Sequence, residues 1–403
     1  MPMLSAVAWV LAVAVFVGWG YWVVAWVRAG IAARPEHSIR SALEFPEPAE
    51  GWPSVSIVVP VHNEERSIER CVTSLRAQTL ERIEFVFVLD RCTDGTREIL
   101  ERHAAEDSRI VLVENDSCPA DWAGKCYAAR LGAERATGDR IIFTDADTWI
   151  DPNLVRAAVT MAAHRGLQLL SLLGTLETRY WFERIVQPVA AMTLLRMYPI
   201  ERVNRIERHR PFANGQFMLF ERSWYDRIGG HEAVKDHLLE DIAFARLVYH
   251  REGGRVGLFL AHDLLTCSMY DTFDQLKAGW QRIYIEASRR RPKKLRKNAR
   301  QVIGLGVACP IIQLVTLIVA GVVISAGHVS LGVVSVALVF LGVGTQAAAL
   351  SRIYRLSHAP LSTVLLFPLG SWVVGRIFFD AARDLEKGVP IAWGGREYPL
   401  DPL

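Results

Sequence analysis

Val55-Ser56-Ile57-Val58-Val59-Pro60-Val61-His62-Asn63-Glu64 is the stretch that decides the fold. A short β-branched run, apolar on both faces, reads as a strand covered from both sides. It stops at a cluster of polar residues. The same arrangement returns three times. Phe85-Val86-Phe87-Val88-Leu89 runs into Asp90-Arg91-Cys92-Thr93-Asp94-Gly95-Thr96, Ile110-Val111-Leu112-Val113 into Asn115-Asp116, and Ile141-Ile142-Phe143 into Thr144-Asp145-Ala146-Asp147. Helix-like segments lie between them, from Ser67 to Gln78, Thr96 to Ala105 and Lys125 to Ala136. Asp151-Pro152 opens another, with proline at a favoured early position. Strands alternating with helices predict an α/β domain built on a parallel sheet with right-handed crossovers. Such sheets bind ligands beyond the carboxyl ends of their strands, which is where the polar residues fall. No G-x-G-x-x-G follows the first strand and no G-x-x-x-x-G-K-[ST] occurs anywhere, so a dinucleotide fold and a P-loop enzyme are both disfavoured.

Asp145 and Asp147 stand two residues apart, and in an extended segment they would point to the same side. Two neighbouring carboxylates repel, and a divalent cation removes the repulsion. Magnesium or manganese with one or two carboxylates and phosphate oxygens is a common coordination set. A solvated strand-end turn is the competing reading, because D-x-D by itself is a weak motif. Glu240 and Asp241 sit at the start of a helix expected from Leu238 to Arg251, ended by Gly253-Gly254. Complementing the helix dipole would account for one acidic residue there. Capping of the helix at Thr96 is the plainer account of Asp94 and an alternative for Asp90. The histidines His62, His209, His231, His237 and His262 do not share metal-ligand spacing.

Pro60 to Glu64, Asp90, Gly124-Lys125, Asp145, Asp147 and Glu240-Asp241 follow one another in an order and spacing that resembles family 2 glycosyltransferases, over roughly residues 53 to 290. Asn214-Gly215-Gln216-Phe217-Met218-Leu219-Phe220, then Ile228-Gly229-Gly230-His231-Glu232-Ala233-Val234, then Leu239-Glu240-Asp241, are similar to the acceptor side of bacterial enzymes that glycosylate carotenoids. Thr178 to Pro199 and the tail are similar to hopanoid-associated members. The resemblance implies a GT-A-like (Rossmann-like) domain with a mixed, mainly parallel sheet. It implies that Pro60, Asn63, Glu64, Asp90, Lys125 and Asp145 bind a nucleotide sugar, and that Asp147, with Asp145, holds Mg2+ or Mn2+. Asp241 would be the general base and the sugar would be inverted. Glu240, Gln216, Trp280 and Arg282 would lie on the acceptor or closing side. Arg91 stands where the family often has a second acidic residue, which weakens the base contact expected of Asp90. Processive members carry Q-x-x-R-W; Trp280-Gln281-Arg282 has those residue types in another order, which argues against a polysaccharide synthase. An interfacial tryptophan is the other account of Trp280.

The 403 residues exceed one ordinary domain, and apolar residues make up 51% of them. A first apolar stretch, about Met3 to Val27, is long enough to span a bilayer and has no basic residue before it, so an anchor fits better than a cleaved signal peptide. Arg28, Arg34 and Arg40 follow it, which puts the next domain in the cytosol of a bacterial inner membrane. Three more stretches run Val302 to Ala326, Val329 to Leu350 and Leu361 to about Phe379. Ahead of them, eight of the twelve residues from Arg289 to Arg300 are cationic. Next to a hydrophobic span, such a run reads as a cytosolic stop signal on anionic lipid rather than a nucleic-acid patch. Pro368 and Gly370 interrupt the last stretch, which would either span or re-enter, leaving open the side on which Ile391 to Tyr398 lies. The expected divisions are an anchor at 1–28, a linker at 29–52, a catalytic domain at 53–270, a juxtamembrane segment at 271–300, membrane helices at 301–383 and a tail at 384–403. Trp181 to Pro199, broken by Pro188, reads as either an interfacial or a core helix. Net charge is only +3, and the six cysteines form neither a C-x-x-C pair nor a disulfide framework, which suits a reducing compartment.

The leading expectation is therefore transfer of one sugar from a UDP-linked donor to a hydroxyl of a membrane lipid or isoprenoid. A polyprenyl-phosphate glycosyltransferase is the alternative. A non-enzymatic scaffold or transporter subunit would be expected to lack the acidic residues, and a transporter often carries intramembrane acids.

Overall fold

A computed structural model describes residues 2–48, 51–205, 210–393 and 396–402; His209 lies outside the described residues. The strands are β1 (Val55–Val61), β2 (Ile83–Asp90), β3 (Ile110–Asn115), β4 (Arg140–Thr144), β5 (Thr148–Ile150), β6 (Leu169–Leu176), β7 (Phe217–Glu221) and β8 (Val256–Cys267). They form one sheet in the order β3-β2-β1-β4-β7-β6-β8-β5. β1, β2, β3 and β4 are mutually parallel, as are β6 and β8, while β7 runs antiparallel to both β4 and β6 and β5 runs antiparallel to β8. This is the mixed, mainly parallel sheet expected. β1 sits inside the sheet and is buried along nearly its whole length, which explains its apolar run; the one polar residue in it, Ser56, is buried and hydrogen-bonded to Glu84 and the Gly138 amide.

The helices are α1 (Pro2–Ala32), α2 (Ile68–Arg76), α3 (Thr96–Glu106), α4 (Gly124–Arg135), α5 (Leu154–Arg165), α6 (Trp181–Met197), α7 (Ile200–Val203), α8 (Arg222–Arg227), α9 (Glu240–His250), α10 (Phe273–Ala287), α11 (Pro292–Ile303), α12 (Cys309–Ser325), α13 (Val329–Leu356) and α14 (Phe367–Glu386). Pro152 does not open α5. Asp151 accepts from the Asn153 and Leu154 amides, making a turn that places the helix start two residues later. Gly166, with φ of +59°, closes the same helix in the left-handed conformation. α4 packs close on the sheet at Gly132, where an added Cβ would stand 2.3 Å from Val58 Cγ1 and 2.9 Å from Val88 Cγ2.

Among the described residues, four helical stretches are long and apolar enough to cross a membrane: Met3–Ala32, Pro292–Ser325, Val329–Leu356 and Leu361–Glu386. The basic run is not a separate segment, because α11 continues through a π-turn at Gly304–Ala308 into α12. α1, α12 and α13 pack on one another. α14 behaves differently. It lies antiparallel to α11, with Ser371 against Gly306 at one end and Glu386 paired with Arg296 at the other. Its other neighbours are α6 and α10, and Tyr284 stacks on Phe378 at 3.8 Å. Pro368 stands in the first turn of α14, where it is tolerated, rather than breaking it. So α14 runs beside the domain-proximal part of the bundle, and the chain after it returns to the catalytic sheet. α6 is both apolar and buried on one face, with Val186 and Val189 covered, while Trp181 is exposed.

The tight approach of α4 to β1 gives a direct check. Gly132→Ala should overpack the interface and cost about 1–3 kcal/mol, read as a lower unfolding midpoint of the purified protein. Val58→Ala in the same chain should recover part of the loss.

Candidate active site

The polar strand ends converge on an open cleft of about 690 Å³. Pro60 stands near the end of β1, Asn63 and Glu64 follow it, Asp90 ends β2, Lys125 lies in the first turn of α4, and Asp145 and Asp147 follow β4; all seven line it. Asp145-Ala146-Asp147 is a turn, not the extended segment expected. Thr148 closes it by donating from its backbone N–H (3.3 Å) and Oγ1 (2.7 Å) to the Asp145 carbonyl. The turn still puts both carboxylates on the cleft.

Asn63 adopts φ of +55° and accepts from the Thr93 amide through Oδ1 at 2.8 Å, joining the first two loops. Glu64 accepts from Ser67 Oγ at 2.5 Å, and burial raises its carboxyl pKa. Arg91, also left-handed at φ of +52°, turns back and grips Asp90 with two bonds of 2.9 and 2.7 Å. Asn115 Nδ2 donates to the same carboxylate at 2.6 Å. The arginine at the departing position therefore holds Asp90 in place. Asp94 accepts from the Thr96 and Glu65 amides at 3.2 and 3.1 Å, the capping role expected.

Lys125 links two acidic groups. Its Nζ lies 2.6 Å from Asp145 Oδ1 and 2.8 Å from Glu240 Oε1. Burial alone would lower the lysine pKa, but the two carboxylates outweigh it and hold the ammonium charged. Burial opposes ionisation of Glu240 too, and Lys125 reverses that. Among the described residues no cation pairs with Asp147. Its carboxylate accepts from Cys267 Sγ at 3.5 Å, and burial, then Asp145, then Glu64, drive its pKa well above the usual range. Crowded negative charge of this kind fits a divalent cation. Among the described residues no three His, Cys, Asp or Glu side chains cluster as a metal site. A cation here would therefore complete its shell with oxygens from outside the chain, as the pairing of two carboxylates with phosphate requires.

Asp241 sits behind this cleft on α9, which starts at Glu240 rather than Leu238. It is 8% exposed and accepts from the Gly215 amide at 2.8 Å and the Ile242 amide at 2.6 Å. Burial, then Glu240, push its pKa up to about 7. Gly215 belongs to the loop before β7 whose next residue, Gln216, lines a second cavity.

That cavity, about 370 Å³, lies between the sheet and the membrane helices. Trp22 and Ala25 of α1, Pro188 and Met192 of α6, Leu260 of β8 and Ile353 of α13 line it, and it is mostly apolar. Two residues apart on α10, Trp280 and Arg282 project to different sides. Trp280 lines the apolar cavity and Arg282 the polar cleft, where Tyr270, Glu240, Asp241 and Asp145 surround its charge. Met269 borders both. Gln281 is occupied elsewhere, donating to Asp384 of α14 at 2.9 Å. Cys267, Tyr270 and the tail residue Tyr398 belong to the site without having been singled out in the sequence; all come from parts of the chain with no polar strand-end signature.

Residues 56–229 match the family model described as Glycosyl transferase family 2. Over that span the chain carries a family 2 glycosyltransferase domain. One curated relative of this glycosyltransferase, 4,4'-diaponeurosporenoate glycosyltransferase of Staphylococcus aureus, is 23% identical over 353 residues, covering 86% of this chain and 88% of the relative. Among solved structures, a mannosyltransferase of Pyrobaculum calidifontis in complex with GDP-Man and Mn2+ is 18% identical, with a TM-score of 0.46, over 91% of this chain and 98% of that one. S. aureus TarS 1-349 in complex with UDP-GlcNAc is 12% identical, with a TM-score of 0.41, over 86% and 96%.

Proposed function

We propose that this glycosyltransferase moves a single sugar from a nucleotide diphosphate donor, UDP-linked, to a hydroxyl of a membrane lipid or isoprenoid, with inversion and with help from Mg2+ or Mn2+. The observation that carries the reading is the meeting of two unlike cavities. An acidic, open cleft at the strand ends suits a charged donor, and an apolar cavity against the membrane helices suits a greasy acceptor. They adjoin at Met269, which lines both; Asn214 and Gln216 line the apolar cavity, and the Gly215 amide between them holds Asp241. The name of the S. aureus relative, a carotenoid-type glycosyltransferase, supports an isoprenoid acceptor. The basic residues that follow α1 and open α11 support a cytosolic catalytic domain at the inner membrane.

In this reading Asn63, Glu64 and Asp90 hold the nucleoside, and Lys125 and Asp145 meet the diphosphate. A divalent cation on Asp147 and Asp145 would neutralise the departing diphosphate. Asp241 takes the acceptor hydroxyl proton as that oxygen attacks the anomeric carbon from the face opposite the leaving group. Its burial suits the task, since a base works best with a pKa near the operating pH. Glu240 and Lys125 keep the charge beside it fixed.

A polyprenyl-phosphate acceptor is the second reading. Arg196 favours it: this guanidinium lines the apolar cavity, donating to Asn298 at 3.2 Å, and could meet a phosphate.

Asp147→Ala should abolish the tightening of UDP binding by Mg2+ or Mn2+, measured by calorimetry on the purified protein; a metal effect equal to the wild type's would remove Asp147 from the ligand set. For Asp241, deprotonation activates the base, so kcat/KM should climb through a pH of about 7 and level off above it. Asp241→Asn should keep nucleotide binding, lose about a hundred- to ten-thousand-fold in transfer, and lose that pH limb. Full turnover by the variant would assign the proton transfer elsewhere.

A further inference from the structure

One wall of the polar cleft comes from neither the sheet nor its helices. After α14 the chain returns to the catalytic domain, where β9 (Ile391–Trp393) pairs antiparallel with β10 (Arg396–Tyr398). Ile391, Ala392 and Tyr398 line the cleft. The Tyr398 hydroxyl accepts from the Gly124 amide at 3.3 Å, across 274 residues of chain. That amide opens α4, whose first N–H groups have no partner within the helix. The N-cap residue, Ala123, has no side-chain oxygen to offer them. Tyr398 also packs against the small cluster of Trp122, Ala123 and Cys126.

Arg91 and Asp90 stand on the other side of Gly124. A Cβ there would lie 3.0 Å from Arg91 Nη2 and 3.7 Å from Asp90 Oδ2. Asp90, Arg91, Gly124 and Tyr398 therefore meet in one corner, at the end of β2, while the metal carboxylates follow β4. The corner offers a carboxylate, a guanidinium plane and a phenol, groups that suit a nucleobase and ribose.

We propose that this C-terminal strap completes the nucleoside end of the donor site, with Tyr398 positioning the base and setting preference among bases. The proposal rests on reading the cleft as the donor site. A tail that only clamped the fold would need Tyr398 against Trp122; it would not need Ile391 and the exposed Ala392 to face the cleft.

Calorimetry of the full-length protein with UDP, GDP and dTDP, in the presence of Mg2+, tests this. Tyr398→Ala should weaken the tightest of the three by about tenfold and flatten the preference among them, while Tyr398→Phe, which keeps the ring, should hold most of that preference. Ala392→Trp places bulk on the cleft wall at an exposed position, so it carries the test if Tyr398→Ala does not fold; it too should weaken binding and change the preference. Affinities and preference unchanged in Ala392→Trp and Tyr398→Ala, or an equal loss for all three nucleotides, would overturn the strap's role and leave the donor site standing. A wild-type protein that binds none of the three would remove the donor site, and the strap's role with it.

Discussion

Lys125 ties the two halves of this site together. Its ammonium lies within 2.6 Å of Asp145 and 2.8 Å of Glu240, so one cation answers acidic groups from the loop after β4 and the start of α9. Without it, Glu64, Asp145, Asp147, Glu240 and Asp241 would crowd negative charge into one region, and ionising them together would be costly. With it, Glu240 stays ionised and Asp145 is answered, while Asp147, buried beside Asp145 and Glu64, has its pKa raised well above the usual carboxylate range. Asp241, next to an ionised Glu240 and out of water, is poised near neutrality. The electrostatics thus divide a run of acidic residues into distinct chemical roles.

The membrane side depends on a different constraint. α6, α10, α11 and α14 form a layer between the sheet and the bundle of α1, α12 and α13. Their apolar faces meet at contacts such as Tyr284 on Phe378, and their polar faces reach the cleft or pair with one another, as Arg296 does with Glu386. The apolar cavity lies where this layer, the sheet and the bundle come together. A greasy acceptor could thus reach a polar reaction centre without leaving apolar surroundings.

Much of this was legible in the sequence because the strands are buried on both faces. Burial makes β1, β2 and β4 read as largely apolar runs, and their polar ends then mark the cleft. The roles of single residues were less visible. Arg91 seemed a departure from the family pattern, and only its fold-back onto Asp90 shows how it fits. Apolar length could not show that α14 packs on α6, α10 and α11, because hydropathy does not record which neighbours a helix meets. Trp280 and Arg282 are only two residues apart in sequence but line different cavities, a consequence of helical rotation. Tyr398 lay beyond reach, since its partner Gly124 is 274 residues away and two three-residue strands give little pattern.

The central claim is that a polar donor cleft and an apolar acceptor cavity serve one transfer at Asp241. The most direct measurement incubates the purified full-length enzyme with a panel of UDP-sugars and total bacterial membrane lipid, and identifies the product by mass. The account predicts an apolar membrane lipid carrying one added sugar, absent when Asp241→Asn replaces the wild type. Transfer to a water-soluble acceptor, or a product carrying a chain of sugars, would contradict it.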